Sequence, residues 1–202
     1  MTHLTERCKD LVASAMKDGI YQAFVEVLAE HGTEGLTMDR VAEVAGIAKG
    51  SLYNYFQNKQ ELVRFVFDRS VEPARQALEE ILVKPVPAVE KLRSVFQVML
   101  ENFATQRGIF EFLFMDPATK ASLDSPERTG RVDVISKFQR ILQQGVEEGA
   151  FRPIDVARSA EMFFGAVVAM IEQQVFLSEE RPVDESVRTL TDVFLHGLAP
   201  RH

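Results

Sequence analysis

The sequence has very little cysteine and no long apolar run. Cys8 is the only cysteine among 202 residues, so no internal disulfide can form and no cluster of thiols can bind a metal. No segment approaches the roughly eighteen consecutive apolar residues that span a bilayer, and the opening residues MTHLTERCKD are not those of a signal peptide. These absences predict a cytoplasmic protein with neither a metal nor a membrane partner.

Motifs of catalysis are also missing. The sequence contains no glycine-rich phosphate loop, no zinc-type histidine pair, no nucleophile elbow and no cysteine–histidine pairing. Its four histidines are scattered, and His3 and His202 lie at the termini. We therefore expect that the chain is not an enzyme and needs no cofactor.

The charge balance is acidic, with a net charge of −7 and a pI near 5.2. Such a balance opposes broad binding to nucleic acid, because most non-specific affinity comes from the neutralisation of phosphates. Residues 36–59 are an exception, with three Lys or Arg against two Asp or Glu. A nucleic-acid partner would thus be bound through a few well-placed donors rather than through a basic surface.

This locally basic window has the pattern of two short helices separated by a glycine turn. Thr37 can cap the first helix with its hydroxyl, and Asp39 lies favourably near the positive end of the helix dipole. Gly46 can adopt the left-handed conformation that ends this helix. In the second segment Leu52 and Phe56 are four residues apart and can form its inner face. The spacing predicts a helix-turn-helix.

The outer side of the second helix is rich in hydrogen-bond donors. Lys49 and Lys59 supply positive charge, the tyrosine and serine hydroxyls can donate to phosphate oxygens, and Gly50 allows a close approach of the backbone. Asn54 could face a base edge or a phosphate. Each residue alone is more typical of a solvated charge or a half-buried aromatic, so the prediction of DNA binding depends on the joint spacing.

At these residues the chain resembles the tetracycline-repressor-like (TetR) family of bacterial one-component regulators. The shared signature reads here as Thr37, Val41, Ala42, Ala45, Gly46, Lys49, Gly50, Ser51, Leu52, Tyr53, Tyr55, Phe56 and Lys59. The resemblance implies phosphate contacts from Thr37, Ser51, Tyr53, Tyr55 and Lys59. It implies positions close to the bases for Lys49, Gly50 and Asn54.

The sequence departs from the family pattern at two positions. Ala48 stands where many members carry Ser or Thr, so the hydroxyl that would cap the recognition helix and contact a phosphate is missing. Tyr55 replaces a frequent histidine.

The rest of the sequence has a helical period. Ala15–His31 is amphipathic and is followed by Gly32 as a stop. Asn58 and Glu61 form a capping pair for a long helix that should link the two parts of the chain. Pro73 falls inside that helix and should kink it or end it.

Three further helices are bounded by clear signals. Ser125 as a cap, Pro126 at the first helical position and Gly149 after the last turn bracket one of them. The last two are expected over Ile154–Phe176 and Val183–Leu198. The predicted fold is all-α, with a three-helix DNA-binding head in residues 1–60 and a larger effector-binding and dimerisation body in residues 61–202.

The aromatic residues of the body are unusual. Eleven of the fifteen phenylalanines follow residue 70, whereas all three tyrosines precede it. A pocket built here would be apolar, although phenylalanine and methionine at helical spacing are more often plain core. The candidate lining residues are Phe96, Met99, Phe103, Phe110, Phe114, Phe138, Phe163 and Met170.

The predicted helix Ile154–Phe176 is apolar around most of its circumference, which suits a helix that packs on a partner as well as on its own chain, and Val183–Leu198 adds further apolar residues. In the resembled family the last two helices of each subunit form a four-helix interface. The candidate interface residues are Phe164, Val168, Ile171, Val175, Leu190 and Phe194. A monomer that buries the same stripes internally is the alternative.

The resemblance implies a function. The chain would bind a pseudo-palindromic operator in double-stranded DNA as a homodimer, repress transcription, and be released by a small hydrophobic effector. The alternatives are an effector-independent DNA-binding protein of the same fold, acting in chromosome organisation or division, and a transcriptional activator.

Overall fold

The computed structural model describes residues 2–115, 129–177 and 181–198, and these residues form helices and short connections without a strand. The all-α fold predicted from the sequence is confirmed. The helices are α1 (Thr2–Gly35), α2 (Met38–Val44), α3 (Lys49–Tyr55), α4 (Lys59–Val83), α5 (Ala88–Thr105), α6 (Arg107–Met115), α7 (Thr129–Glu147), α8 (Val156–Leu177) and α9 (Val183–Leu198).

The chain divides into two compact units, Met1–Arg69 and Ser70–His202. This division falls inside α4 and therefore later than the boundary expected at residue 60. Leu62, Val63 and Val66 on the first turns of α4 are buried, and they complete the core of the amino-terminal unit. The beginning of α4 belongs to this unit because its apolar side is needed there.

In the amino-terminal unit α1 is longer than the sequence pattern indicated. Gly32 has a φ of +64° and interrupts the helix near its end, as its stop signal predicted. At the other end α1 begins at Thr2 rather than near Ala15. The turns of α1 before Ala15 have no buried apolar face that a helical period in the sequence could reveal, because their large apolar residues Leu11 and Val12 are exposed.

Pro73 does not end the linking helix. Helix α4 continues through Pro73 to Val83. Proline removes one amide donor and so frees the carbonyl four residues earlier, which belongs here to Arg69. Both Pro73 and Arg69 are exposed residues, so water can solvate this part of the helix.

The core of the carboxy-terminal unit is a cluster of phenylalanine rings from four helices. The ring centroids of Phe163 and Phe194 lie 3.9 Å apart, and those of Phe96 and Phe138 lie 6.0 Å apart. Phe96, Phe138 and Phe163 are almost completely buried. Their packing joins α5, α7, α8 and α9.

An ion-pair network around the buried Lys137 joins α4 to α7. The Lys137 side chain is 3% exposed, and its ammonium contacts the carboxylates of Asp133 and, at 3.0 Å, Glu79. Arg75 lies 3.8 Å from the same Asp133 carboxylate. Because a buried ammonium is costly without an opposite charge, these partners are what allow Lys137 to lie in the core.

The carboxy-terminal helices end close to their expected limits. Gly149 has a φ of +71° after α7, as its stop signal predicted, and α8 and α9 agree with the expected ranges to within two residues. The predicted start of α7 at Ser125 and Pro126 lies outside the described residues. Helix α8 is long and apolar enough to cross a membrane, but the core helix of a folded protein meets the same two criteria.

Gly145 of α7 lies directly beneath the ring of Phe151, so a Cβ atom at this position would overlap the ring. Phe151 is buried, and its amide donates to the Gly145 carbonyl at 2.9 Å. We expect Gly145→Ala to lower the free energy of unfolding by about 1–3 kcal/mol, the usual cost of overpacking a core. Urea titration measures this difference.

Gly108→Ala is the matched control, because a Cβ atom there meets open space on α6. It should be neutral or raise the free energy of unfolding by up to about 1 kcal/mol through reduced entropy of the unfolded chain. Equal stabilities of the two variants would contradict the proposed contact between Gly145 and Phe151.

Candidate DNA-binding site

Thr37 positions the start of α2. Its backbone is extended, with φ −123° and ψ 153°, and its Oγ1 atom accepts a hydrogen bond from the Arg40 amide at 3.2 Å. The predicted cap is confirmed. A hydroxyl that accepts in this way still has its own proton, so Thr37 can also donate to a phosphate oxygen.

The turn after α2 is a Schellman motif around Gly46, whose φ is +67°. The Gly46 amide donates to the Glu43 carbonyl at 3.0 Å, and the Ile47 amide donates to the Ala42 carbonyl at 3.0 Å. A glycine is favoured here because a side chain would be strained at a positive φ. These hydrogen bonds determine the direction in which the chain enters α3.

Two buried residues hold α3 in place. Leu52 is fully buried and Phe56 is 3% exposed, as the spacing predicted, and the Phe56 ring lies 5.0 Å from the ring of Phe65 on α4. Since these residues occupy the inner side of α3, the opposite side of the helix faces solvent.

The predicted DNA-contacting residues lie on this outer side of α3. Lys49, Gly50, Tyr53 and Asn54 are exposed, while Ser51 and Tyr55 are half-buried. Tyr53 is 42% exposed although it is a large aromatic residue. The structure thus exposes four of the six candidates from α3 on one side of the helix.

The first turn of α3 lacks a side-chain cap. Ala48 is the N-cap residue, with φ −64° and ψ 142°, and it makes no side-chain hydrogen bond. Only its carbonyl takes part in the helix, accepting from the Ser51 and Leu52 amides. The missing cap predicted from the sequence is confirmed.

Lys59 has a structural partner at the start of α4. Its Nζ atom donates to the Leu36 carbonyl at 2.8 Å, which ties α4 to the segment that precedes α2. The capping pair beside it is also present, since Asn58 Oδ1 accepts from the Glu61 amide at 2.9 Å.

Sequence reasoning missed the partner of Lys49. Its Nζ atom lies 2.6 Å from Oδ1 and 2.8 Å from Oδ2 of Asp39, a residue that the sequence pattern associated only with the helix dipole. The hydrogen bond to Asp39 raises the pKa of Lys49 above its ordinary value. The two residues are ten positions apart, and only the direction of the turn at Gly46 brings them together.

The candidate pocket residues are found mainly in the core of the carboxy-terminal unit. Phe96, Phe103, Phe110, Phe138 and Phe163 are buried, and Met99, Phe114 and Met170 are half-buried. The ring centroids of Phe103 and Phe110 lie 5.6 Å apart, and those of Phe110 and Phe114 lie 6.2 Å apart. In this structure the rings of Phe103, Phe110 and Phe114 therefore pack together.

Two cavities lie elsewhere. One of about 300 Å³ in the amino-terminal unit is lined by Val12, Ala15, Met16, Gly19, Ile20 and Ala45. The other, of about 510 Å³, is an open groove lined by Ser136, Gln139, Arg140, Gln143, Gln144, Glu147 and Val156. Neither is lined by a candidate pocket residue.

The candidate interface residues are only partly accessible. Ile171, Val175 and Leu190 are buried within their own chain, at 6%, 6% and 5% exposure. The Phe194 ring stacks on Phe163, and the half-buried Phe164 lies under the guanidinium of Arg131 at 5.4 Å. Val168 is half-buried. These contacts leave little of the six residues for a partner subunit.

Three comparisons relate the chain to known proteins. The family model for bacterial regulatory proteins of the tetR family matches residues 20–66, which include all of α2 and α3. The transcriptional repressor KstR2 of Mycolicibacterium smegmatis is 30% identical over 145 residues, covering 69% of this chain and 69% of that protein. These matches agree with the capped helix-turn-helix described above.

Two solved structures share the fold. The regulator FadR from Bacillus subtilis, in complex with stearoyl-CoA, has a TM-score of 0.75 at 20% identity and covers 89% of this chain and 98% of its own. The SmeT–triclosan complex, from Stenotrophomonas maltophilia, has a TM-score of 0.70 at 20% identity and covers 92% of each chain. The likeness therefore extends over both units.

The uncapped start of α3 leads to a prediction. We expect Ala48→Ser to raise the free energy of unfolding by about 1 kcal/mol, because the added hydroxyl can accept from a free amide in the first turn of α3. The same hydroxyl should tighten DNA binding by a contact to phosphate. Thermal unfolding and titration with duplex DNA measure the two effects.

The control is Ala29→Ser, which makes the same change at an exposed position inside α1. It should lower stability slightly, because serine is a poorer helix former than alanine. Opposite signs at the two positions would support the capping argument, whereas a loss of stability at both would contradict it.

Proposed function

Because the chain belongs to the tetR family of bacterial transcriptional regulators, we propose that it is a ligand-responsive repressor. The DNA-binding part of this proposal rests on one observation. The outer side of α3 is exposed, and α3 belongs to a helix-turn-helix whose first helix is capped. As a DNA-binding regulator it acts in the cytoplasm of a bacterium. We place it on the nucleoid when its operator is occupied.

In the proposed complex α3 lies in the major groove. Tyr53, Ser51 and Tyr55 donate to phosphates, together with Thr37 and the charged Lys59. Lys49, Gly50 and Asn54 lie close to base edges. This assignment is supported by the exposure of Lys49, Gly50, Tyr53 and Asn54 on one side of a helix whose other side is buried.

The chain is proposed to act as a homodimer formed through α8 and α9. Helix α8 is apolar, yet only 33% of its most apolar stretch of 18 residues is buried in the chain. Its outward residues Met162, Gly165, Ala169 and Phe176 follow one another at helical spacing, and Val193 of α9 is also exposed. A two-fold dimer would place two recognition helices about 34 Å apart, in successive major grooves.

Met162→Glu tests this dimer. Met162 is 66% exposed, so the change should leave the fold of one chain intact. Across a two-fold axis it places two carboxylates in the apolar contact, and we expect the dimer to dissociate at least tenfold more readily, on the order of 1.4 kcal/mol. Sedimentation equilibrium measures the dissociation, and DNA titration should show weaker operator binding.

Val132→Glu is the matched control. Val132 is 58% exposed on α7, a helix that contributes no residue to the proposed contact. It should leave the dimer and its DNA affinity unchanged. A Met162→Glu protein that dimerises as tightly as the original would place the interface elsewhere.

The proposed effector is a hydrophobic small molecule. Support comes from the phenylalanine-rich core of the carboxy-terminal unit and from the ligands of two proteins of the same fold, stearoyl-CoA and triclosan. The core rings contact one another here, so the effector would favour a conformer in which they separate. Helices α5, α7, α8 and α9 would move with the rings, and the Lys137 ion pairs would transmit the change to α4.

The experiment uses labelled DNA from the region that flanks the gene of this protein. Specific binding should be lost when a long-chain acyl-CoA or triclosan is added, whereas free coenzyme A, which lacks the apolar chain, should have no effect. Tyr53→Phe should weaken the binding about tenfold through the loss of one hydrogen bond to a charged phosphate.

Ligand binding is measured separately, as a shift in the unfolding temperature. A ligand that stabilises the protein without releasing DNA would contradict the proposed switch. If no apolar ligand binds, the filled phenylalanine core favours the second candidate, a DNA-binding protein of this fold that has no effector.

A further inference from the structure

Asp39 and Lys49 form an ion pair on the outer surface of the helix-turn-helix. The Asp39 side chain is 63% exposed and that of Lys49 is 57% exposed, so both charged groups can meet a ligand. Asp39 lies in the first turn of α2 and Lys49 in the first turn of α3, next to the exposed Gly50. A carboxylate thus stands among the groups that are proposed to contact DNA.

The carboxylate cancels a charge that DNA of any sequence would attract. A protein gains non-specific affinity for each phosphate that a Lys or Arg neutralises. The Lys49 ammonium already has the two Asp39 oxygens within 2.8 Å, so it offers little net charge to a phosphate. Asp39 itself would be repelled by a phosphate, which has acceptor oxygens and no donor.

A guanine–cytosine pair differs from a phosphate in this respect. In the major groove guanine presents the O6 and N7 acceptors, which suit a lysine, and cytosine presents the N4 donor, which suits an aspartate. Guanine O6 and cytosine N4 are hydrogen-bonded to each other, so they lie about one hydrogen-bond length apart. The ammonium and carboxylate of Lys49 and Asp39 have the same separation, 2.6–2.8 Å.

We propose that Asp39 and Lys49 together read one guanine–cytosine pair, and that Asp39 lowers the affinity for DNA that lacks this pair. The inference rests on the proposed DNA-binding surface of α3. Lys49 donates to guanine O6 or N7, and Asp39 accepts from cytosine N4. Asp39 is therefore a specificity-determining residue whose effect is to weaken binding elsewhere.

Asp39→Asn tests the proposal, because it removes the charge and keeps the size of the side chain. Binding to random duplex DNA should become tighter, with a slope of log affinity against log salt that is steeper by about 0.9, the value for one more phosphate contact. At one position of each half-site the preference for guanine–cytosine should fall about tenfold or shift towards adenine, which asparagine recognises.

Two variants complete the test. Glu43→Gln removes an equal charge from the exposed side of α2, four residues after Asp39, so it should leave the base preference unchanged. Lys49→Met should relax the same single position as Asp39→Asn. The base preferences are measured by selecting bound sequences from duplexes randomised at every position, and circular dichroism verifies that each variant is folded.

The outcomes are distinct. If Asp39→Asn and Glu43→Gln change binding equally, Asp39 contributes only general charge and the proposal is wrong. It is also wrong if Asp39→Asn weakens operator and random DNA alike, since Asp39 would then merely hold Lys49 in position. If the unchanged protein selects no sequence at all, the proposed DNA-binding function itself fails.

Discussion

The DNA-binding surface depends on the fact that neither α2 nor α3 can stand alone. Each has seven residues, whereas isolated helices shorter than about 12–15 residues are marginal in water. Their stability therefore comes from the Thr37 cap, the Gly46 turn, and the burial of Leu52 and Phe56. Every exposed donor on α3 takes its direction from these few interactions, and so does the meeting of Asp39 with Lys49.

The carboxy-terminal unit depends on a different constraint, the burial of a charged side chain between α4 and α7. Lys137 is as buried as the neighbouring phenylalanines and depends on carboxylates from two helices. A network of this kind has strict geometric needs, since removing one partner leaves an uncompensated buried charge. Any rearrangement of the phenylalanine cluster that displaces α7 must keep or replace these contacts, which links α7 to the position of α4.

Local signals were enough to predict much of the fold. Thr37, Gly46 and Gly149 each act on the helix that contains or adjoins them, so their roles could be read from neighbouring residues. The ion pair between Asp39 and Lys49 could not, because it depends on the direction of a turn. Likewise, the helical spacing of apolar residues predicts that Ile171 and Leu190 are buried. It does not show whether their own chain or a partner subunit buries them.

The acidity of the chain and its assignment as a DNA-binding regulator are compatible if affinity and specificity have separate origins. A net charge of −7 opposes the long-range attraction that holds a protein on any DNA. The Asp39 carboxylate would act in the same way at short range, because it is repelled by a phosphate but can accept a hydrogen bond from cytosine N4. The cost is a weaker attraction to the correct site, and a dimer offsets it by binding with two recognition helices at once. The acidic charge of the chain and the pairing of Lys49 with Asp39 then have the same effect, since both weaken binding to random DNA. A regulator that is held weakly by random DNA is available to its operator.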